Sequence, residues 1–148
     1  MLSYRVLDLT DERGQLCGKL LADLGADVVL VEPPGGATSR AVGPFAGDDP
    51  SPDRSLFHWA YNRGKRSIAL DLRSPGDRDR LLALAAEADV LVESFDPGFL
   101  DGLGLGRDVL ARVNPALVHV AITAFGSDGP KAHWPATDLT IAASSTGA

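Results

Sequence analysis

The sequence predicts an α/β fold in which a Rossmann-like, mostly parallel sheet is flanked by helices. Short buried strand patterns alternate with helical patterns along the chain, which is typical of right-handed β-α-β units. Residues 28–31 form a continuous aliphatic run, the pattern of a strand that is covered on both faces. Gly25 stands between the first helical pattern and this run, where a left-handed helix end is expected.

Each element follows from its local pattern. Strands are predicted at residues 5–9, 27–32, 67–72, 90–93 and 117–123. Helices are predicted at residues 12–24, 56–61, 75–87, 97–103, 108–113 and from 139 onward. We expect Thr10 or Asp11 to cap the first helix, which should bury Leu20, Leu21 and Leu24. Asp138 is expected to cap the last helix, and residues 33–54 to form a long irregular segment.

Composition restricts the function classes. The chain of 148 residues is predicted to be one domain, with no run of apolar residues that could span a bilayer. No signal peptide is predicted, because residues 1–5 lead directly into a strand, and a cytoplasmic location is expected. The single cysteine, Cys17, is expected to face the core. A net charge of −6 argues against nucleic-acid binding, although an anionic ligand could still find local positive charge.

The ligand edge of a parallel sheet lies at the carboxyl ends of its strands. Glu32 ends the second strand, where a dinucleotide-binding protein would hold a ribose hydroxyl. Such a protein also needs a Gly-x-Gly-x-x-Gly turn after its first strand. Asp11 and Glu12 stand in that turn here, so NAD is not expected as a cofactor. The alternative for Glu32 is a solvated strand end.

A basic block precedes the third predicted strand. Arg63, Lys65 and Arg66 follow Asn62 and could hold phosphate groups, with Gly64 relaxing the backbone between them. On charge alone, a solvated basic loop is the preferred alternative.

Three further groups of residues bear on function. Ser94 and Phe95 leave the fourth strand and would open a helix whose backbone N–H groups could bind an anion or a carbonyl group. Phe125 and Gly126 precede a glycine turn that could approach a ligand closely, or could serve only as a connection. No metal is expected, because the histidines lack partners at ligand spacing; they are His58, His119 and His133.

Four blocks carry a resemblance to a known family. They read LLADLGADVVLVEPPGG, NRGKRSIALDL, ADVLVESFDPG and AFGSDGP, in that order. The chain resembles the amino-terminal part of a family III CoA-transferase, of the carnitine CoA-transferase and formyl-CoA transferase group. The resemblance implies an enzyme that moves CoA between an acyl-CoA and a carboxylic acid through an aspartyl anhydride and thioester. It further implies an interlocked homodimer. It favours a CoA site built from the basic and edge residues, which are Arg40, Asn62, Arg63, Lys65, Arg66, Ser94, Phe95, Phe125 and Gly126.

The same resemblance places the catalytic aspartate outside this chain. Relatives carry it in a Gly-Asp motif further along, so residues 1–148 are expected to be a truncated, CoA-binding portion that is inactive alone. The sequence departs from the family pattern at Ser94, Asp96 and Gly102, and the last two positions often carry cations in relatives. A non-catalytic CoA-binding domain is the alternative. A racemase-like reaction is disfavoured, because Thr137 stands where related racemases have a histidine.

Overall fold

The computed structural model describes residues 4–145 and contains one five-stranded parallel sheet. Its strands are β1 (Arg5–Leu9), β2 (Asp27–Glu32), β3 (Arg66–Ala69), β4 (Val90–Glu93) and β5 (Val118–Ala121). They lie in the order β3-β2-β1-β4-β5. The predicted parallel α/β fold is therefore confirmed.

Helices connect successive strands and cover the sheet. They are α1 (Gln15–Asp23), α2 (Leu56–Asn62), α3 (Pro75–Ala86), α4 (Phe99–Gly102), α5 (Arg107–Val113) and α6 (Asp138–Ser145). The segment predicted to be irregular contains three short 3-10 turns, at Thr38–Ala41, Ala46–Asp48 and Pro52–Arg54. Within residues 4–145, no helix has the length and the apolar content needed to cross a membrane.

Alternate residues of the central strands build two separate apolar clusters. Leu7 and Leu91 are fully buried in the larger cluster, together with Leu81 and Ala85 of α3 and Leu110 of α5. The smaller cluster lies on the other face and combines Val6, Val28 and Val92 with half-buried side chains from α1, among them Cys17 and Leu21. The sheet is thus covered on both faces, as the continuous aliphatic runs predict.

The first helix differs from its prediction in start and in orientation. It begins at Gln15 after Gly14, and neither Thr10 nor Asp11 caps it. Leu20 and Leu24 are 53% and 82% exposed, whereas the buried positions of α1 include Gly18. The physical reason is that α1 approaches the sheet through its small residues, so the leucines on the opposite side stay outside. The left-handed conformation of Gly25 is confirmed, with φ of 95°.

Three other predicted boundaries and one predicted cap were wrong. Strands β3 and β5 lie at the two edges of the sheet and end earlier than predicted, at Ala69 and Ala121. Helix α4 begins at Phe99 and has four residues, so Ser94 and Phe95 do not lie at a helix start. Asp138 does not cap α6, because the Thr137 hydroxyl accepts the backbone N–H of Thr140 at 3.3 Å. The predictions that fall on residues 1–3 and 146–148 lie outside the described residues.

Candidate functional site

The carboxyl ends of the strands enclose a cleft, which we call the edge cleft. Its volume is about 440 Å³. It is lined by residues at or just after the ends of β1, β2 and β3 and by two aromatic side chains; these are Leu9, Val31, Glu32, Pro33, Pro34, Leu70, Asp71, Leu72, Arg73, Phe95 and Phe99. The cleft therefore lies at the edge where open α/β sheets bind their ligands.

Two stacked phenylalanines form one wall of the edge cleft. The ring centroids of Phe95 and Phe99 are 4.6 Å apart and their planes meet at 28°. The backbone N–H of Phe95 donates to the Glu93 carboxylate at 2.7 Å, which fixes the chain as it leaves β4. The Phe95 N–H is therefore satisfied within the chain and is not available to an anion. Phe95 itself presents an aromatic surface to the cleft.

Arg73 is the cation among the lining residues of the edge cleft. It follows β3, and its backbone N–H donates to the Asp71 carboxylate at 3.0 Å. Arg73 is not among the residues predicted for the site from the sequence. The available signal was its place two residues after Asp71, at a strand end that the sheet pattern had already assigned to the ligand edge.

Arg40 is held by Glu32 beside this cleft. Its guanidinium donates to both Glu32 carboxylate oxygens, at 2.6 and 2.9 Å, and to Asp53 at 2.9 Å. The hydrogen bond from Arg40 lowers the pKa of Glu32 to about 2, although burial opposes the shift. Ser67 and the N–H of Ala37 also donate to Glu32. Glu32 is therefore a saturated buried carboxylate rather than a solvated strand end.

Lys65 lies in the interior of the protein. Its ammonium donates to Asp8 at 2.8 Å, to the Gln15 carbonyl at 2.8 Å and to the Asn62 side-chain oxygen at 2.9 Å. The Lys65 and Asp8 side chains are 1% and 0% exposed. Burial lowers the pKa of Lys65, while the attraction of Asp8 opposes that shift. All three ammonium donors are used, so none is left for a phosphate.

Asn62 extends this interaction into a buried polar network. Its amide nitrogen donates to Gln15 at 3.0 Å and lies 3.2 Å from His58 Nδ1. The same His58 nitrogen lies 2.8 Å from the Ser39 hydroxyl. Burial lowers the pKa of His58, which favours the neutral ring. The network therefore connects β1, α1 and α2 to the turn that carries Arg40.

The other two cations of the basic block point elsewhere. Arg66 donates to Asp27 at 2.6 Å, and both residues begin their strands, so they lie at the sheet edge opposite the edge cleft. Arg63 is exposed and lines a shallow hollow of about 410 Å³ together with Arg40 and Trp59. Of the residues predicted for the CoA site, the structure thus brings Arg40, Asn62 and Arg63 together around this hollow.

Ser94 joins the ends of β1 and β4. Its hydroxyl accepts the backbone N–H of Asp11 at 2.9 Å and donates to the Asp11 carboxylate at 2.8 Å. The Ser94 carbonyl accepts from Arg13 at 2.6 Å, and Arg13 also binds both oxygens of Asp11. Burial would raise the pKa of Asp11, but the hydrogen bonds from Arg13 and Ser94 outweigh it and lower that pKa.

A second cavity adjoins Phe95 and is called here the Arg13 cavity. Its volume is about 400 Å³, and Arg13, Phe95, Asp96, His133 and Trp134 are among its lining residues. Phe125 packs edge-on against Trp134, with centroids 6.5 Å apart, and Gly126 has a φ of 86°. Phe125 and Gly126 therefore support the wall of the Arg13 cavity and do not line it.

A third cavity, of about 300 Å³, adjoins Phe95 beside β5. His119 lines it, and its Nε2 atom is buried without a hydrogen-bond partner, 3.7 Å from Glu93. No group of three potential metal ligands occurs in residues 4–145.

The comparisons with known proteins agree on one family. The chain matches the profile described as CoA-transferase family III over residues 3–148. It is 46% identical over 140 residues to a succinyl-CoA:(R)-benzylsuccinate CoA-transferase subunit, BbsE, of Thauera aromatica; the match covers 95% of this chain and 34% of the relative. It is 43% identical to an acetyl-CoA:oxalate CoA-transferase of Acetobacter aceti, over 95% of this chain and 35% of the relative.

A solved structure shares the fold. The crystal structure of the hypothetical protein Rv3272 from Mycobacterium tuberculosis superimposes with a TM-score of 0.84 at 40% identity. The match covers 97% of this chain and 39% of that structure. The chain thus spans about a third of the length of the curated relatives described above.

Proposed function

Because the chain belongs to CoA-transferase family III, we propose that the whole protein moves CoA from an acyl-CoA to a free carboxylic acid. Curated relatives that match most of this chain are named as CoA-transferases. Since the chain spans about a third of their length, the complete reaction is assigned to the whole protein.

The observation that carries the proposal for this chain is the edge cleft. Its stacked phenylalanines offer an apolar wall for the adenine ring or the pantetheine arm, and Arg73 supplies a cation for a phosphate. Arg63 is a second candidate for the phosphates, because it is exposed beside the Glu32–Arg40 pair that borders the cleft. Within the proposed site, Phe95 has the central position, since it lines all three neighbouring cavities.

Four other residues predicted for the site do not contact the ligand in this proposal: Asn62, Lys65, Arg66 and Ser94. Lys65 and Asn62 hold β1 and α1 to α2 through buried hydrogen bonds, and Arg66 pairs with Asp27 at the far edge. Ser94 holds the loop after β1 in place. In this proposal Lys65, Asn62 and Ser94 shape the ligand edge without touching the ligand, whereas Arg66 lies away from that edge.

The proposed chemistry is covalent carboxylate catalysis. An aspartate beyond this chain attacks the thioester carbonyl, the carbon–sulfur bond breaks, and CoA leaves as a thiolate from the resulting mixed anhydride. The thiolate then attacks the aspartyl carbonyl of this anhydride, which forms an aspartyl-CoA thioester and releases the original acid. The acceptor carboxylate next attacks that thioester and releases the thiolate again, which finally attacks the acyl carbonyl of the new anhydride. The residues of this chain hold CoA in place during all of these steps, so its thiolate attacks each anhydride within the same complex.

Calorimetry of CoA binding to the full-length protein tests the proposed site. Arg73→Gln is expected to weaken binding about tenfold and to reduce its salt dependence, because a charged phosphate contact is lost. Arg66→Gln and Arg112→Gln are the matched controls, since they remove the same charge away from the cleft. Equal affinities for Arg73→Gln and the two controls would overturn the placement of CoA. Binding without acyl exchange would favour the non-catalytic alternative.

We also propose that the whole protein is a homodimer. Leu16, Leu20 and Leu24 form an exposed stripe along α1, which a further part of the protein or a second copy would cover. Light scattering of the full-length protein checks the mass in solution, and a monomer at micromolar concentration would contradict this assignment.

A further inference from the structure

Arg13 presents one side of its guanidinium to the Arg13 cavity, beside the proposed CoA site. Its Nε and NH2 groups are used by Asp11 and by the Ser94 carbonyl. The remaining NH1 group has Asp96 at 3.8 Å as its ion-pair partner and donates no hydrogen bond within the described residues. The Asp96 side chain is 90% exposed, so this ion pair is weak. Arg13 is therefore held on its inner side and available on its outer side.

The outer side of Arg13 lies in the Arg13 cavity, which Phe95 also lines. Phe95 is shared with the edge cleft, so the two spaces meet at this ring. A long ligand that enters along the edge cleft and passes Phe95 reaches Arg13 with its far end. This route rests on the proposed position of CoA in the edge cleft.

A comparison of the third cavity with the Arg13 cavity indicates which of the two better accommodates a negatively charged group. The third cavity also meets the edge cleft at Phe95, but its carboxylates outnumber its cations. The acids are Glu93, Asp96, Asp101 and Asp128, whereas Arg107 is the permanent cation. In the Arg13 cavity one arginine faces one acid, Asp96, which is nearly fully exposed. An anionic acyl end is therefore repelled by the third cavity and accommodated in the Arg13 cavity.

We propose that Arg13 determines specificity by binding a second carboxylate on the acyl group, so that the preferred acyl groups derive from dicarboxylic acids. The NH1 group makes a charge-assisted hydrogen bond to the distal carboxylate, while the thioester end remains near Phe95. The aromatic and aliphatic lining of the cavity, including Trp134 and Pro135, surrounds the carbon chain between the two ends.

The test compares succinyl-CoA with butyryl-CoA, which have four-carbon acyl groups and differ in the distal carboxylate. Calorimetry with the full-length protein is expected to show tighter binding of succinyl-CoA. Arg13→Gln should abolish most of this preference, with a loss of about tenfold for succinyl-CoA and little change for butyryl-CoA. Arg112→Gln is the control for loss of a surface arginine. Equal affinities of the two thioesters for the wild-type protein would overturn the inference, as would an equal loss for both in Arg13→Gln.

Asp96→Asn provides a second test that leaves the Arg13 hydrogen bonds intact. Removing this exposed acid should increase the preference for succinyl-CoA about twofold, because Asp96 competes for the same NH1 group. An unchanged or reduced preference would contradict a contact between NH1 and the ligand. Acyl exchange to succinate and butyrate is measured in parallel. A retained binding preference without any exchange would reject the proposed transferase reaction while supporting the role of Arg13.

Discussion

Two ion pairs of this molecule have similar chemistry and very different surroundings. Asp8–Lys65 and Asp27–Arg66 each join a strand carboxylate to a cation of the basic block, with N–O distances of 2.8 and 2.6 Å. The first pair is buried, with 0% and 1% exposure, whereas the second is 35% and 66% exposed. The two cations are adjacent in sequence, yet one lies in the interior and the other at the surface.

Because the two pairs have similar distances and differ in burial, we expect burial to determine how strongly each pair affects stability. Removing one partner of a buried pair leaves an uncompensated charge, which is strongly destabilising. An exposed pair is already solvated and contributes little. The two pairs therefore bracket the range of effects expected from substitutions in this part of the protein.

The largest effect is expected for Lys65→Met. The substitution leaves the Asp8 carboxylate buried without its cation, which should lower the free energy of unfolding by about 3–5 kcal/mol. Urea unfolding of the full-length protein measures this change. The double variant Asp8→Asn/Lys65→Met should recover more than half of the loss, because the introduced amide would keep an oxygen for Thr10 without the charge. A loss below about 1 kcal/mol in the single variant would contradict a buried pair.

The next largest expected effect is a loss of stability in acid, where the Glu32–Arg40 pair is broken by protonation of Glu32. The arginine of this pair is 22% exposed and its carboxylate 4%, so the pair lies between the two extremes. Hydrogen bonds from Arg40 lower the pKa of Glu32 from 4.5 to about 2. The ionised pair thus stabilises the protein above pH 4.5, and this contribution is lost as the pH falls toward 2. It corresponds to roughly 3 kcal/mol, at 1.36 kcal/mol for each tenfold change in proton affinity.

Urea unfolding between pH 2 and pH 6 measures that acid dependence. Glu32→Gln removes this titrating group and should make the loss of stability over this range smaller, while Asp11, whose pKa is also lowered, keeps a residual acid dependence. An equally steep loss of stability in wild type and Glu32→Gln would show that other carboxylates carry the acid sensitivity.

A smaller effect on stability is expected for substitutions at Gly64, which lies between Arg63 and Lys65. Gly64 has a φ of 85°, which sends the first side chain outward and the second inward. Gly64→Ala should lower the free energy of unfolding by about 1–2 kcal/mol, because a Cβ disfavours this conformation. Gly64→Asn should lower it by less, since asparagine adopts the left-handed region more readily. The same loss for both variants would point to a cause other than the backbone.

The smallest effect is expected for Arg66→Gln. The exposed pair with Asp27 should contribute at most about 1 kcal/mol, and about 0.5 M salt should reduce even that. A loss as large as that of Lys65→Met would remove the distinction between the two pairs.

The sequence predicted those elements that depend on local burial. Strands β1, β2 and β4 have the predicted bounds, because aliphatic runs in the interior of a parallel sheet leave little choice. Edge strands β3 and β5 were predicted too long, since one side of each has no partner in the described part of the chain to extend the pairing. Periodicity grouped Leu20 and Leu24 correctly on one side of α1, but it does not tell which side faces the sheet.

The site was predicted less well, because neighbours in sequence can face different surroundings. The basic block was treated as one cluster, whereas the backbone at Gly64 directs Lys65 inward and Arg63 outward. The Lys65 side chain points inward because it pairs with the buried Asp8, which lies 57 positions away in the sequence. Arg73 was missed although its strand end had been recognised. A search for cations just after each strand end would have found it.

The burial of Lys65 has a consequence for chemical modification. Acyl thioesters slowly acylate accessible lysine amines, and this chain has three lysines, Lys19, Lys65 and Lys131. Lys19 is paired with Asp23 on the surface of α1, and Lys131 lies 5.3 Å from the Trp134 ring centroid. Mass spectrometry after exposure to an acyl-CoA should therefore detect adducts on Lys19 and Lys131 before Lys65. The appearance of acylated Lys65 would then report that the interior of the domain has opened.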